Sequence, residues 1–262
     1  MKHRLGLILP ALVALILIVG ASTGFAQEPE VVEMEGREAE VTLIEGSADL
    51  SRREPPLEQP LSQGDLLVDG DRVATGEEAR LELGMPDGSF LRFAQKTAFE
   101  LMSINYDERT RQRDIEIHAA LGKTWAKVSD LVGGGGRFQV SSQNAVAGIR
   151  GTVYRMNVNS DTSVVVKVYK GAVEVSSPPK TAEKPGGVSE PSGVAGPQPV
   201  SGPHPVAGPH PVTMQEWTYI VRAMQQIVIY PDGTVSKPFR FDPQLDMDDW
   251  VRWNQNRDKM HP

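Results

Sequence analysis

GRFQVSSQNAVAGIRGTVYRMNV, Gly136 to Val158, is the stretch around which the rest of the chain is read. Phe138 and Val140 alternate with polar residues, the period of a half-buried strand. A tight run follows, Ala145-Val146-Ala147-Gly148-Ile149-Arg150-Gly151-Thr152, in which two glycines flank Ile149 and Arg150. Glycine there lets the backbone bend, or approach another strand, where a side chain would clash. Val153 to Val158 then resumes as a strand with Tyr154, Met156 and Val158 on one face.

The same grammar extends in both directions. Upstream, Ala39-Glu40-Val41-Thr42-Leu43 and Ala79-Arg80-Leu81-Glu82-Leu83 alternate. Asp69-Gly70-Asp71, Thr75-Gly76 and Pro86-Asp87-Gly88-Ser89 punctuate as turns. Ser51 to Pro60 reads as a polar loop, and Gly133 to Gly136 as a flexible connector. Leu121 to Val128 is a strand with a buried Trp125, and Val164 to Tyr169 turns at Lys170-Gly171 into Ala172 to Val175. About a dozen short strands without a helix, from Glu40 to Ser177, predict an all-β domain.

Ala-x-Ala-Gly-Ile-Arg-Gly-Thr-x-Tyr, from Ala145 to Tyr154, resembles the hallmark of the FecR domain, an extracytoplasmic all-β module. The resemblance covers roughly Glu40 to Ser177. It includes Pro60-Leu61-x-x-Gly64-Asp65, Asp69-Gly70-Asp71-x-Val73-x-Thr75-Gly76, Arg80 to Leu83 and Lys170 to Val175. It implies a wound, solenoid-like or roll-like β-fold. It also singles out Gly148, Arg150, Gly151 and Thr152, for which a structural and a binding role are both open. Typical members relay a signal to a sigma factor through a cytoplasmic segment before a membrane span. Here only Met1 to Arg4 precede the apolar run, which puts direct sigma-factor control in doubt.

The expected organisation has five parts. Residues 1–26 read as a signal peptide, with basic Lys2, His3 and Arg4, an apolar run from Leu5 to Val19, and small Gly24 and Ala26 before the cleavage point. Residues 27–38 are a spacer and 39–177 the β-domain. Residues 178–213 are a Pro/Gly-rich linker with three copies of a Gly-Pro-x-Pro-Val unit. Residues 214–262 carry a strand around Ile227 and Ile229 and a helix starting at Asp242-Pro243, both returning to the β-domain. Trp250, Trp253 and Arg257 share one helical face, expected to dock on the parent domain or to bind a partner.

Composition narrows the function. There is no cysteine, so disulfides, thiol chemistry and a lipidated cysteine anchor are excluded. Net charge is −7, and loss of Lys2 and Arg4 with the signal peptide makes it −9. An acidic chain of this kind argues against nucleic acid and anionic lipid. Asp65, Asp69 and Asp71 do not follow the spacing of a calcium loop. His204 and His210 recur in the linker repeats, where duplication for length competes with weak copper or nickel binding. His118 lies on the polar side of its strand, and no nucleophile elbow or distinct carboxylate pair stands out.

The reading is therefore a non-catalytic protein without cofactor or metal. It is extracytoplasmic, periplasmic or secreted, and it senses, binds or scaffolds at the cell envelope. Its partner is an envelope protein or cell-wall polymer, with membrane contact only through an uncleaved signal peptide. A component of a FecR-type transmembrane relay and an envelope carbohydrate-active enzyme are the alternatives.

Overall fold

A computed structural model describes residues 36–149, 151–179 and 216–261. The expected signal peptide, nearly all of the spacer and linker, and Arg150 lie outside the described residues. Within them the chain winds between two stacked sheets. Among the described residues nothing lies over one outer face, and the other carries the C-terminal segment, so the sheets are called open and covered.

The chain enters the covered sheet as β1 (Ala39–Glu45) and crosses to the open sheet for the hairpin β2 (Ala48–Arg53) and β3 (Pro56–Pro60). It returns as β4 (Leu66–Leu67), crosses as β5 (Arg72–Thr75), and pairs β6 (Arg80–Gly84) with β7 (Phe90–Phe93) in the covered sheet. β8 (Ala98–Asp107) is in the open sheet, and the long β9 (Gln112–Lys127) begins there and ends in the covered one. The pattern repeats. β10 (Gly135–Ser141) and β11 (Val146–Ile149) are open, β12 (Val153–Val158) and β13 (Val164–Lys170) covered. β14 (Ala172–Ser176) and β15 (Thr218–Arg222) are open, β16 (Gln225–Ile229) and β17 (Phe239–Arg240) covered. A single helix, α1 (Asp249–Met260), closes the described chain.

The open sheet runs β3-β2-β5-β8-β9-β10-β11-β14-β15. The covered sheet runs β4-β1-β6-β7-β9-β12-β13-β16-β17. All of these pairings are antiparallel except β9 with β10. This is the all-β architecture that the strand pattern predicts, wound and roll-like as the resemblance implies, with a helix docked on it.

Strand alternation builds the core. Val41, Leu81, Leu83, Leu91, Tyr154, Met156 and Val166 point inward from the covered sheet, and Leu50, Val73, Leu101, Ile117, Phe138, Val140 and Val175 meet them from the open one. Phe93 and Phe99 stack at 3.7 Å between the two layers. At Gly122, β9 passes from one sheet to the other. Its φ of +102° suits glycine, and a Cβ would lie 2.6 Å from the Thr97 Cα.

Four local expectations are corrected. Ser51–Pro60 is not a loop: most of it belongs to β2 and β3, carried by buried Leu50 and half-buried Leu57. Its prolines Pro56 and Pro60 are tolerated because β3 is the sheet edge, where a missing N–H disrupts no ladder. Gly135 and Gly136 are not a connector but the start of β10, paired with Gln112 and Arg113. Among the described residues fourteen strands, rather than about a dozen, precede Ser177. Finally, α1 starts at Asp249 rather than at Asp242-Pro243. Asp248 is the cap, its Oδ1 accepting from the Val251 N–H at 2.8 Å. Asp246 is drawn away from the helix by cations of the covered sheet.

Candidate binding faces

Side chains in register across the covered sheet form one outward rank. Glu82 lies opposite Arg92, Arg92 opposite Trp125, Trp125 opposite Arg155, and Arg155 opposite Lys167. On a bare sheet these would face water. Here the segment from Asp242 onward lies over them, and two ion clusters hold it.

In the first cluster Arg92 donates to Glu82 at 2.6 Å through Nε and to Asp258 at 2.5 Å through Nη1. Arg257 donates to both oxygens of Glu82, and Thr42 donates to one of them at 2.9 Å. Asp258 also accepts from the Trp125 indole at 3.2 Å, and its backbone carbonyl from Lys127 at 3.1 Å. Glu82 and Arg92 are fully buried. Burial alone would raise the Glu82 pKa, but donation from Arg257 and Arg92 overrides it and lowers the group to about 2.

In the second cluster Asp246 accepts from Arg155 and Lys167, both at 2.6 Å, and from the Tyr169 hydroxyl. Burial would raise Asp246, yet the donations from Lys167 and Tyr169 and the charge of Arg155 leave it lowered. Burial pushes the Tyr169 phenol above its ordinary value, and the bond to Asp246 adds to that.

The helix residues singled out from the sequence meet here. Trp250 is buried with Val251 against Ala94 and Trp125, in a small apolar cluster separate from the main core. Trp253 stacks on Trp250 at 5.4 Å, and Arg80 lies 5.3 Å over the Trp253 ring. Arg257 reaches Glu82. The face Trp250-Trp253-Arg257 thus docks on the parent domain.

Of the hallmark residues, Gly151 and Thr152 occupy the corner where β11 leaves the open sheet for β12 in the covered one. Gly151 has φ +57° and sits against the Asp130 side chain. Thr152 is buried, its carbonyl accepts from the Val128 N–H at 2.9 Å, and its methyl packs where a Cβ on Gly171 would fall, 2.6 Å away. Gly148 differs. A Cβ there would meet only the Glu174 carbonyl oxygen, at 3.9 Å. It faces a shallow groove of about 450 Å³ on the open sheet, bordered by Gln139, Glu174 and Ile220.

A larger groove of about 710 Å³ crosses the other half of the open sheet. Ala74, Ala98 and Ala120 line it, and one rim is a register rank, Glu58-Ser51-Arg72-Glu100-His118. Arg72 pairs with Glu100 at 2.8 Å, while Asp49 and Glu58 have no ion-pair partner among the described residues. His118 is half-buried, its Nδ1 3.3 Å from the Ser141 hydroxyl.

The three turn aspartates are each consumed locally. Asp65 accepts from the Ser62 N–H, Asp69 from the Ile104 N–H, and buried Asp71 from Arg52 through both oxygens. Among the described residues no group of three or more His, Asp or Glu is placed to hold a metal.

Sequence reading missed the basic rank of the covered sheet because outward polar residues on alternating strands look solvated. The signal was present in the charge sign. Arg92, Lys123, Lys127, Arg155 and Lys167 occupy outward positions of β7, β9, β12 and β13, while the tail carries Asp242, Asp246, Asp248, Asp249 and Asp258.

With this geometry in hand, the chain can be set beside known proteins. Residues 71–174 match the FecR protein family. No curated protein matches. Two crystal structures of a proposed anti-sigma factor from Parabacteroides distasonis are similar at 15% and 14% identity and a TM-score of 0.43 each. The similarity covers 66% of this chain and 61% of theirs. The matched segment begins just before β5, ends in β14 and contains the glycine corner between the two sheets.

Proposed function

We propose that this protein is a non-catalytic FecR-domain module with a signalling role at the cell envelope, acting outside the cytoplasm by binding through its open sheet. The observation that carries this reading is the contrast between the faces. One sheet is covered by the chain's own tail. The other presents the 710 Å³ groove, lined with small side chains and rimmed by alternating carboxylates, hydroxyls and cations. Such a surface suits an extended polar partner, an envelope protein or a cell-wall polymer. The non-catalytic part is supported by the fate of the buried carboxylates: Glu82, Asp71, Asp87 and Asp246 are each held by an arginine. A carboxylate fixed as an ion pair is poorly placed to exchange protons with a substrate. Among the described residues no helix is long and apolar enough to cross a membrane.

The test is co-sedimentation of the protein beginning at Gln27 with purified peptidoglycan, and in parallel a pull-down from envelope extract. The parent is compared with Ala74→Trp and Ala98→Trp, which fill the groove without touching the core. Capture that both variants abolish, with unchanged melting, supports the reading. Capture indifferent to both moves the binding site elsewhere, and release of soluble fragments from the polymer overturns the non-catalytic assignment.

A further inference from the structure

The covered sheet has a charge pattern that the fold alone does not require. In a chain of net charge −7, its outward positions on β7, β9, β12 and β13 hold Arg92, Lys127, Arg155 and Lys167 beside Trp125 and Tyr169. The neighbouring β6 adds one acid, Glu82. What covers this basic and aromatic surface is an acidic segment. Asp246 answers Arg155 and Lys167, and Asp258 answers Arg92 and Trp125. The contact also has an apolar centre, where Trp250, Val251, Met247 and Trp253 of the tail pack with Ala94, Trp125, Val153 and Tyr169. The main core closes without any residue beyond Ile229 among its buried members. The tail is therefore attached like a tethered acidic, tryptophan-bearing ligand, by ion pairs and hydrogen bonds around an apolar centre.

We propose that the covered sheet is an interaction surface for an acidic, tryptophan-bearing peptide segment of a partner protein, and that residues 242–261 occupy it in cis until such a segment displaces them. Exchange of one acidic segment for another leaves no buried arginine unpaired, so the surface never faces the penalty of bare buried charge. The tether gives the resident tail an effective concentration near the millimolar range, so the intact chain binds a competitor far more weakly than a chain with a weakened tail. This proposal concerns the sheet opposite the one argued above, and either can fail alone.

The experiment uses the whole chain and a fluorescein-labelled poly-glutamate peptide of roughly 20 residues with one tryptophan, read by anisotropy at low salt, where such attraction is least screened. The double variant Asp246→Asn with Asp258→Asn should bind it at least about tenfold more tightly than the parent. Adding Lys127→Gln and Lys167→Gln should remove the gain, and poly-lysine should not bind. Equal affinity of parent and double variant, or equal binding of poly-lysine, overturns the proposal. Should the double variant not fold, hydrogen exchange on the parent decides. Excess poly-glutamate must speed exchange of the α1 amides while β12 and β13 keep their protection; unchanged protection of α1 overturns it.

Discussion

Replacing Glu82 by glutamine removes one charge from the buried cluster at almost constant volume. In the parent its two oxygens accept from Arg92 at 2.6 Å, from Thr42 at 2.9 Å and from Arg257. The carboxyl falls from an ordinary value of 4.5 to about 2 on folding. A shift of that size corresponds to about 3 kcal/mol of stability, an order-of-magnitude figure. Because the folded value is depressed, that stability is fully present above pH 4.5 and is lost as pH falls toward 2. Glutamine accepts fewer charged donors and leaves Arg257 unanswered, although Arg92 keeps Asp258. The expected cost at neutral pH is thus about 3 kcal/mol, the lower end for breaking a buried pair. Urea unfolding of parent and variant across a pH series measures it. The slope should be unchanged, the midpoint lower at pH 7, and the gap should close as pH drops through the window. A gap below about 1 kcal/mol at neutral pH would place the cluster among ordinary surface pairs and refute the reasoning.

Four further outcomes follow from the same structure. Trp250→Ala should cost about 3–5 kcal/mol by urea unfolding, and Trp253→Ala, which loses a stacking partner at a half-buried site, distinctly less. Gly171→Ala should lower the melting temperature sharply, because φ is +82° and the new methyl would meet Thr152 Cγ2 at 2.6 Å. Gly148→Ala should be neutral or stabilise by about 0.5–1 kcal/mol, since nothing crowds the position and alanine restricts the unfolded chain. In an alkaline titration followed by tyrosinate absorbance, Tyr154 and Tyr169 should stay protonated beyond the ordinary phenol range until the protein unfolds, because burial raises both.

The fold was legible where period 2 and turn chemistry agree. Phe138, Val140, Tyr154, Met156 and Val158 are inward, as alternation requires, and the Asp-Gly and Lys-Gly pairs do turn the chain. Reading failed at Ser51–Pro60, a proline-containing stretch read as a polar loop. Proline excludes a central strand but not an edge, and which strand lies at an edge depends on pairing partners far away in the chain. It failed again at the helix start. Asp242-Pro243 has the local chemistry of a first turn, but Arg155 and Lys167 compete for Asp246, and those residues are 91 and 79 positions away.

The site residues separate by the same logic. Gly151 and Thr152 are demanded by a crossover between sheets, which explains glycine and a small branched residue without any ligand. Gly148 sits in ordinary strand conformation with open space above it, and the fold alone gives no reason for glycine there. Glycine in a strand interior costs stability and often marks a place where a ligand or another backbone comes close. It opens onto the open sheet, the face proposed above for binding, on the half away from the 710 Å³ groove. Substituting it therefore separates the two roles: a larger side chain at Gly148 should leave stability nearly intact and weaken capture on the open sheet, whereas one at Gly151 should do the reverse.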